Sequence, residues 1–151
     1  MEIIWQCGKY YKPSVDAFMD EAKAKGIKGI ESIQHSDFIK RMDLAYAAAD
    51  VIISRSGASS ISEICAAHKA AIFVPSPNVT EDHQTHNAMA LVKKDAALMV
   101  TDAEAVEKLM KTACDLLRNP DKMALMEKNI AALAKTDAAM TIAKEVYAIL
   151  G

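Results

Sequence analysis

Aromatic side chains are scarce in this sequence: one Trp, four Tyr and three Phe make 5% of 151 residues. With 52% hydrophobic residues and nine Met, the core must come mainly from aliphatic and thioether side chains, which suits helices packed closely on another layer. An excess of one charge is also missing. Lys and Arg total 18 against 20 Asp and Glu, net −2, and no basic run is interleaved with aromatics, which excludes nucleic acid as an expected partner. The three cysteines, Cys7, Cys65 and Cys114, are odd in number and widely spaced, with no C-x-x-C pair for zinc, so they read as reduced thiols. No apolar run approaches the roughly 18 residues of a membrane span. The start, Met1-Glu2-Ile3-Ile4-Trp5, lacks a basic stretch followed by an apolar one. A soluble, cytoplasmic chain is expected. Repeats and low-complexity linkers are absent, and the length suits one domain, residues 1–151.

Short β-branched runs alternate with longer helical patterns. Strands are expected at 3–6, 29–33, 51–54, 71–74 and 97–100, most of them apolar throughout, as parallel strands covered on both faces are. Helices are expected by 3.6-residue periodicity at 14–25, 38–49, 60–67 and 83–94, and then at 103–117, 121–134 and 137–150 with no strand between them. Such alternation gives right-handed βαβ units, an α/β fold with a parallel Rossmann-like sheet flanked by helices and a helical C-terminus. In that architecture ligands bind beyond the carboxyl ends of the strands, where loops enter helix N-termini. Two segments of unusual composition fall there.

The first is Ser54-Arg55-Ser56-Gly57-Ala58-Ser59-Ser60-Ile61-Ser62-Glu63. Gly57 permits a tight turn, and the small residues after it let backbone N–H groups at a helix start approach an anion, aided by the helix dipole. Arg55 either adds a bidentate contact or anchors the loop. Glu63, one turn in, has two acceptor oxygens for a pair of ribose hydroxyls. The competing reading is structural: Ser60-x-x-Glu63 fits a capping box, with Glu63 folded back onto the cap.

The second runs from Pro75 to Ala88 and ends in a polar helix start. Asp82 fits a plain N-cap. His83, Gln84 and Asn87 gather uncharged donors and acceptors at one helix N-terminus, the chemistry that reads sugar hydroxyls. A solvated polar face is the plain alternative. His83 and His86, three apart, would face a metal together but have no third ligand nearby.

Taken together, these segments resemble the MurG family, which transfers N-acetylglucosamine from UDP-N-acetylglucosamine to a lipid-linked muramoyl-pentapeptide. The resemblance covers essentially the whole chain. It includes Ile4-Trp5-Gln6-Cys7-Gly8-Lys9, Phe38-Ile39-x-x-Met42 and Ala45-Tyr46-x-x-Ala49-Asp50. Its most specific parts are the Arg55-Ser56-Gly57-Ala58 core leading to Glu63, and Glu81-Asp82-His83-Gln84-Thr85-x-Asn87-Ala88. The family often has Gly and Pro at the positions of His68 and Ala70, and a Lys or an aromatic at that of His86.

The resemblance implies the donor-binding, C-terminal domain of a two-domain glycosyltransferase fold, here without its first strand and without the acceptor-binding half. It implies that Ile39 presents main-chain groups to the uracil with Met42 packed nearby. The backbone of Ala58, Ser59 and Ser60 would face the diphosphate, Glu63 the ribose, and His83, Gln84 and Asn87 the sugar, with Arg55, Ser56 and Gly57 shaping the loop. The general base belongs to the other half, so no catalytic residue is assigned. No D-x-D pair occurs, so neither a metal nor another cofactor is expected. The activity implied is an inverting N-acetylglucosaminyltransferase of lipid II synthesis, inactive as this fragment. The full-length protein would be peripheral on the cytoplasmic face of the membrane, and the lipid-linked acceptor would be met only through the other domain. Alternatives are a non-catalytic nucleotide-sugar-binding subunit of a two-chain enzyme, or part of a nucleotide-sugar epimerase. A final helical stripe, Ile142, Val146 and Ile149, left without its neighbour, leads us to expect weak homodimerisation.

Overall fold

The computed structural model describes residues 1–77 and 82–150. The expectations that fall on residues 78–81, Glu81 among them, lie outside these. The chain divides into two compact units, Met1–Ala48 and Ala49–Gly151, and the strands pair as two parallel sheets, β1-β2 and β3-β4-β5.

The first unit holds β1 (Ile3–Gln6), α1 (Lys12–Ala24), a 3-10 turn (Ile30–Ser32), β2 (Ile33–Ser36) and α2 (Met42–Ala48). Pro13 opens α1, where its missing N–H costs nothing. Gly26 closes the helix at φ +65, with its N–H on the Lys23 carbonyl and the Ile27 N–H on that of Ala22, a Schellman stop that needs the left-handed conformation. Val15 and Met19 pack with Cys7 into a small core that Ile30 and Ile33 flank. β2 begins at Ile33, not Gly29 as expected. Gly29 sits at φ +88 and starts the 3-10 turn, so the apolar run is divided and the ladder uses the more polar Ile33-Gln34-His35-Ser36.

The second unit holds β3 (Val51–Ser54), α3 (Ala58–Ala67), β4 (Ala70–Phe73), α4 (His83–Val92), β5 (Leu98–Met99), a 3-10 turn (Asp102–Glu104) and the run α5 (Ala105–Leu117), α6 (Pro120–Ala131) and α7 (Ala138–Leu150). β4 lies between β3 and β5, and all four of its residues are 0% exposed. Continuous apolar character matches a strand covered on both faces. Ala70 and Ile72 form a core with Val100, Ala113, Leu116 and Met126. Complete burial of a side chain such as Ile72 stabilises by about 1.5–3 kcal/mol. Asn119 caps α6 by accepting the Lys122 N–H at 3.0 Å, just ahead of Pro120. None of α7 is buried, and Ile142 is 63% exposed. No described helix is long and apolar enough to cross a membrane.

Candidate functional site

Parallel pairing of β3, β4 and β5 brings their carboxyl ends to one edge of the second unit. The loops after β3 and β4 enter α3 and α4 there. α3 starts at Ala58, with Gly57 as its N-cap and no side chain bonded to the cap. Ser60 is therefore the third helical residue, and the N-cap that the competing capping-box reading puts at Ser60 falls at Gly57. The first N–H groups of a helix have no acceptor within it, and the first turn of α3 carries no acidic residue to offset its positive end. Gly57 adopts φ −65, ψ 147, a conformation open to any residue. A Cβ built there would meet nothing within 4 Å. Neither backbone nor packing of the chain itself calls for glycine at this position.

α4 starts at His83, with Asp82 in the cap position at φ +54 and no side-chain cap bond. Asp82 thus occupies the N-cap without serving as the plain capping acceptor that its residue type suggests. Left-handed backbone at a non-glycine residue is uncommon and strained.

Hydrogen bonds between the two loops are specific. Ser56 is 0% exposed. Its Oγ donates to the Gln84 carbonyl at 2.8 Å, and its own carbonyl accepts from Asn87 Nδ2 at 3.2 Å. Gln84 Oε1 accepts from the Ser76 N–H at 2.9 Å. Arg55 Nη1 donates to the carbonyls of Val74 and Pro75, each at 3.2 Å, and to the carboxylate of Asp102. Arg55, Ser56, Gln84 and Asn87 are thereby brought together in the second unit, with Gly57, Ala58, Ser59 and Ser60 following directly. Glu63 lies exposed on α3, and His83 exposed at the start of α4.

Ile39 and Met42 belong to the first unit. There the Ile39 N–H donates to Gln6 Oε1 at 2.9 Å, which ties the segment before α2 to the end of β1. Met42 is the first residue of α2 and half-buried.

Three residues of this framework escaped the sequence reading: Asp102, Ser76 and Gln6. Asp102 had a legible signal, an acidic residue shortly after the third strand of the sheet. Ser76 acts through its backbone and Gln6 through a partner 33 positions away, which no local pattern reveals. A cleft of about 160 Å³ opens between Pro75, Ser76, Asp82, Thr85, Thr101 and Asp102. A larger one of about 280 Å³ is bounded by Leu98, Thr112, Leu116 and Asn119, and no expected site residue lines it. Among the described residues no group of three His, Cys, Asp or Glu is arranged to hold a metal ion.

Residues 1–142 match the family model described as Glycosyltransferase family 28 C-terminal domain. A UDP-N-acetylglucosamine--N-acetylmuramyl-(pentapeptide) pyrophosphoryl-undecaprenol N-acetylglucosamine transferase of Bacteroides fragilis is 51% identical over 97% of this chain and 37% of its own length. Its namesake in Bacteroides thetaiotaomicron is 49% identical over 97% and 38%, and that of Parabacteroides distasonis is 45% identical over 99% and 39%. The crystal structure of Acinetobacter baumannii MurG is similar with a TM-score of 0.79 and 28% identity, over 97% of this chain and 41% of that one. The chain spans less than two fifths of the length of these curated relatives. It belongs to the glycosyltransferase family 28 C-terminal domain family, and its α/β fold is that of the C-terminal part of MurG.

Proposed function

We propose that this chain binds the donor UDP-N-acetylglucosamine, as the donor half of an inverting N-acetylglucosaminyltransferase that completes the lipid-linked peptidoglycan precursor. The observation that carries the reading is the first turn of α3. It has a glycine cap, no side-chain cap bond and open space over Gly57, at the carboxyl end of a parallel strand. Such a turn offers its N–H groups and dipole to a diphosphate without a metal. Glu63 takes the ribose hydroxyls, and the polar start of α4, with His83, Gln84 and Asn87, meets the sugar. Ile39 and Met42 serve the uracil. Acceptor binding and the general base fall to the part of the relatives' length that this chain does not match, and the whole protein works at the cytoplasmic face of the membrane.

Binding by the isolated chain is weak, high-micromolar to millimolar, or about 4–6 kcal/mol. Amide NMR during titration with UDP-N-acetylglucosamine tests this, with shifts expected at Ile39, Gly57 and Glu63. Perturbations clustered elsewhere at saturation would sink the site. Transfer to a lipid acceptor by the purified chain should be undetectable. The exposed stripe Ile142, Val146 and Ile149 on α7 supports weak self-association of the isolated chain. A single sedimentation coefficient across a hundredfold concentration range would refute that part.

A further inference from the structure

Ser56 stands out among the loop residues because the protein encloses it completely. Its side chain is 0% exposed, and both its hydroxyl and its carbonyl are engaged by α4, through the Gln84 carbonyl and Asn87 Nδ2. The partners lie 28 and 31 positions away, so these bonds are tertiary joints and not local caps. Gln84 adds a third joint by accepting the Ser76 N–H. The turn before α3 and the first turn of α4 are therefore linked through buried Ser56, and Gln84, itself half-buried, carries the link on to the exit of β4. Close-packed, hydrogen-bonded groups transmit displacement, because no slack is available to absorb it.

We propose that Ser56 is a positioning residue that couples the two helix starts. An anion settling on the N–H groups of Ala58–Ser60 moves or stiffens the turn that contains Ser56, and the joints pass that change to Gln84 and Asn87. The residues that face the far end of the donor are then set by occupancy at its diphosphate. This inference rests on the donor-site reading above.

The test uses this chain, amide NMR and two probes, UDP alone and UDP-N-acetylglucosamine. In the wild type, UDP alone should shift Gly57–Ser60 and also Ser76 and Gln84, although no sugar is present. In Ser56→Ala the first group of shifts should persist and the second should shrink. The affinity gained by adding the sugar should also fall about fivefold, the worth of one neutral hydrogen bond. A residue with a merely structural role would weaken both ligands alike and leave that ratio unchanged, which would overturn the proposal. Wild-type shifts at Gly57–Ser60 with none at Ser76 or Gln84 would overturn the coupling while the donor site stood. No shift at Gly57–Ser60 would remove the donor site and the coupling with it. Should Ser56→Ala fail to fold, Asn87→Ala breaks a joint from the half-buried side. Read with UDP alone, where Asn87 has no sugar to touch, it should also quench the Ser76 and Gln84 shifts; undiminished shifts would overturn the coupling.

Discussion

Arg55 and Asp102, 47 positions apart, form an ion pair that joins the exit of β3 to the 3-10 turn after β5. The same guanidinium nitrogen reaches the carbonyls of Val74 and Pro75 beyond β4, so one side chain spans the exits of three strands. Both partners are partly exposed, 54% and 39%, and a pair of that kind contributes at most about 1 kcal/mol. Arg55 serves as an anchor. If so, Asp102→Asn and Arg55→Lys both weaken UDP binding, by up to about fivefold. Calorimetry decides: an Asp102→Asn variant that binds UDP more tightly would mean that the guanidinium, once released, contacts the phosphate itself.

Glu63→Gln separates recognition from helix capping. Gln keeps the length of Glu63 and a side-chain acceptor oxygen, and α3 is capped at Gly57, so thermal stability should change by less than about 1 kcal/mol. UDP affinity should fall about tenfold to a hundredfold, the loss of a charge-assisted acceptor worth about 1.5–3 kcal/mol. Unchanged affinity would remove Glu63 from the ribose site.

Gly57→Ala should cost little stability, because φ −65 suits alanine and no atom lies within 4 Å of the added carbon. Alanine is a poorer cap than glycine, a difference of roughly 1 kcal/mol or less. UDP binding should drop far more than stability, since the added methyl group would stand in the proposed path of the diphosphate. Equal losses in both would assign the glycine to folding.

His68 ends α3 in the left-handed conformation, φ +54, ψ 40, which glycine adopts without steric cost. Replacing it by glycine should relieve backbone strain and raise unfolding free energy by about 0.5–1 kcal/mol, with UDP affinity unaltered. A lower melting temperature would show that the imidazole makes a contact worth more than the strain.

The first unit carries a pH-dependent contribution. Lys12 Nζ, bonded to both Asp16 oxygens at 2.6 and 2.7 Å, and then His35 Nε2 at 2.7 Å hold the Asp16 carboxyl below its ordinary value near 3.8. A carboxyl whose folded pKa is depressed adds stability above its unfolded pKa and loses it as pH falls through the folded one. Asp16→Asn should therefore lower stability near neutral pH and flatten the acid limb of the melting-temperature profile below pH 4. Parallel profiles for variant and wild type would contradict this.

Much of the fold was legible because β3 and β4 are short apolar runs between helical periods, and their observed bounds match or nearly match the expected ones. β2 was misplaced because Ile30 and Ile33 look alike in sequence, whereas Gly29 turns the chain between them. α3 was started late, at Ser60, since a serine three residues before a glutamate is a strong cap signal and a glycine cap is a silent one. The pairing of the strands as two parallel sets, β1-β2 and β3-β4-β5, was not legible, because ladder partners depend on the whole chain and not on a window. Gln84 and Asn87 were correctly marked as polar groups at a helix start. Their bonds to Ser76 and Ser56 were beyond reach, because each joins residues that only the folded sheet makes neighbours. Burial pushes the Cys65 thiol pKa up, which leaves it poorly nucleophilic.

The complete enclosure of β4 separates two clocks in one molecule. Amide protons of Ala71 and Ile72 should exchange with solvent only when the second unit opens, while those of Ala58 and Ser59, which precede the first helical bond of α3 from the Ile61 N–H to the Gly57 carbonyl, need no opening of the helix. A ligand bound at that start would shield the second group directly, and would slow the first through the stability it adds to the folded unit. Deuterium uptake at Ala58 and Ser59 would thus report contact with the ligand, and uptake at Ala71 and Ile72 the stability that binding confers.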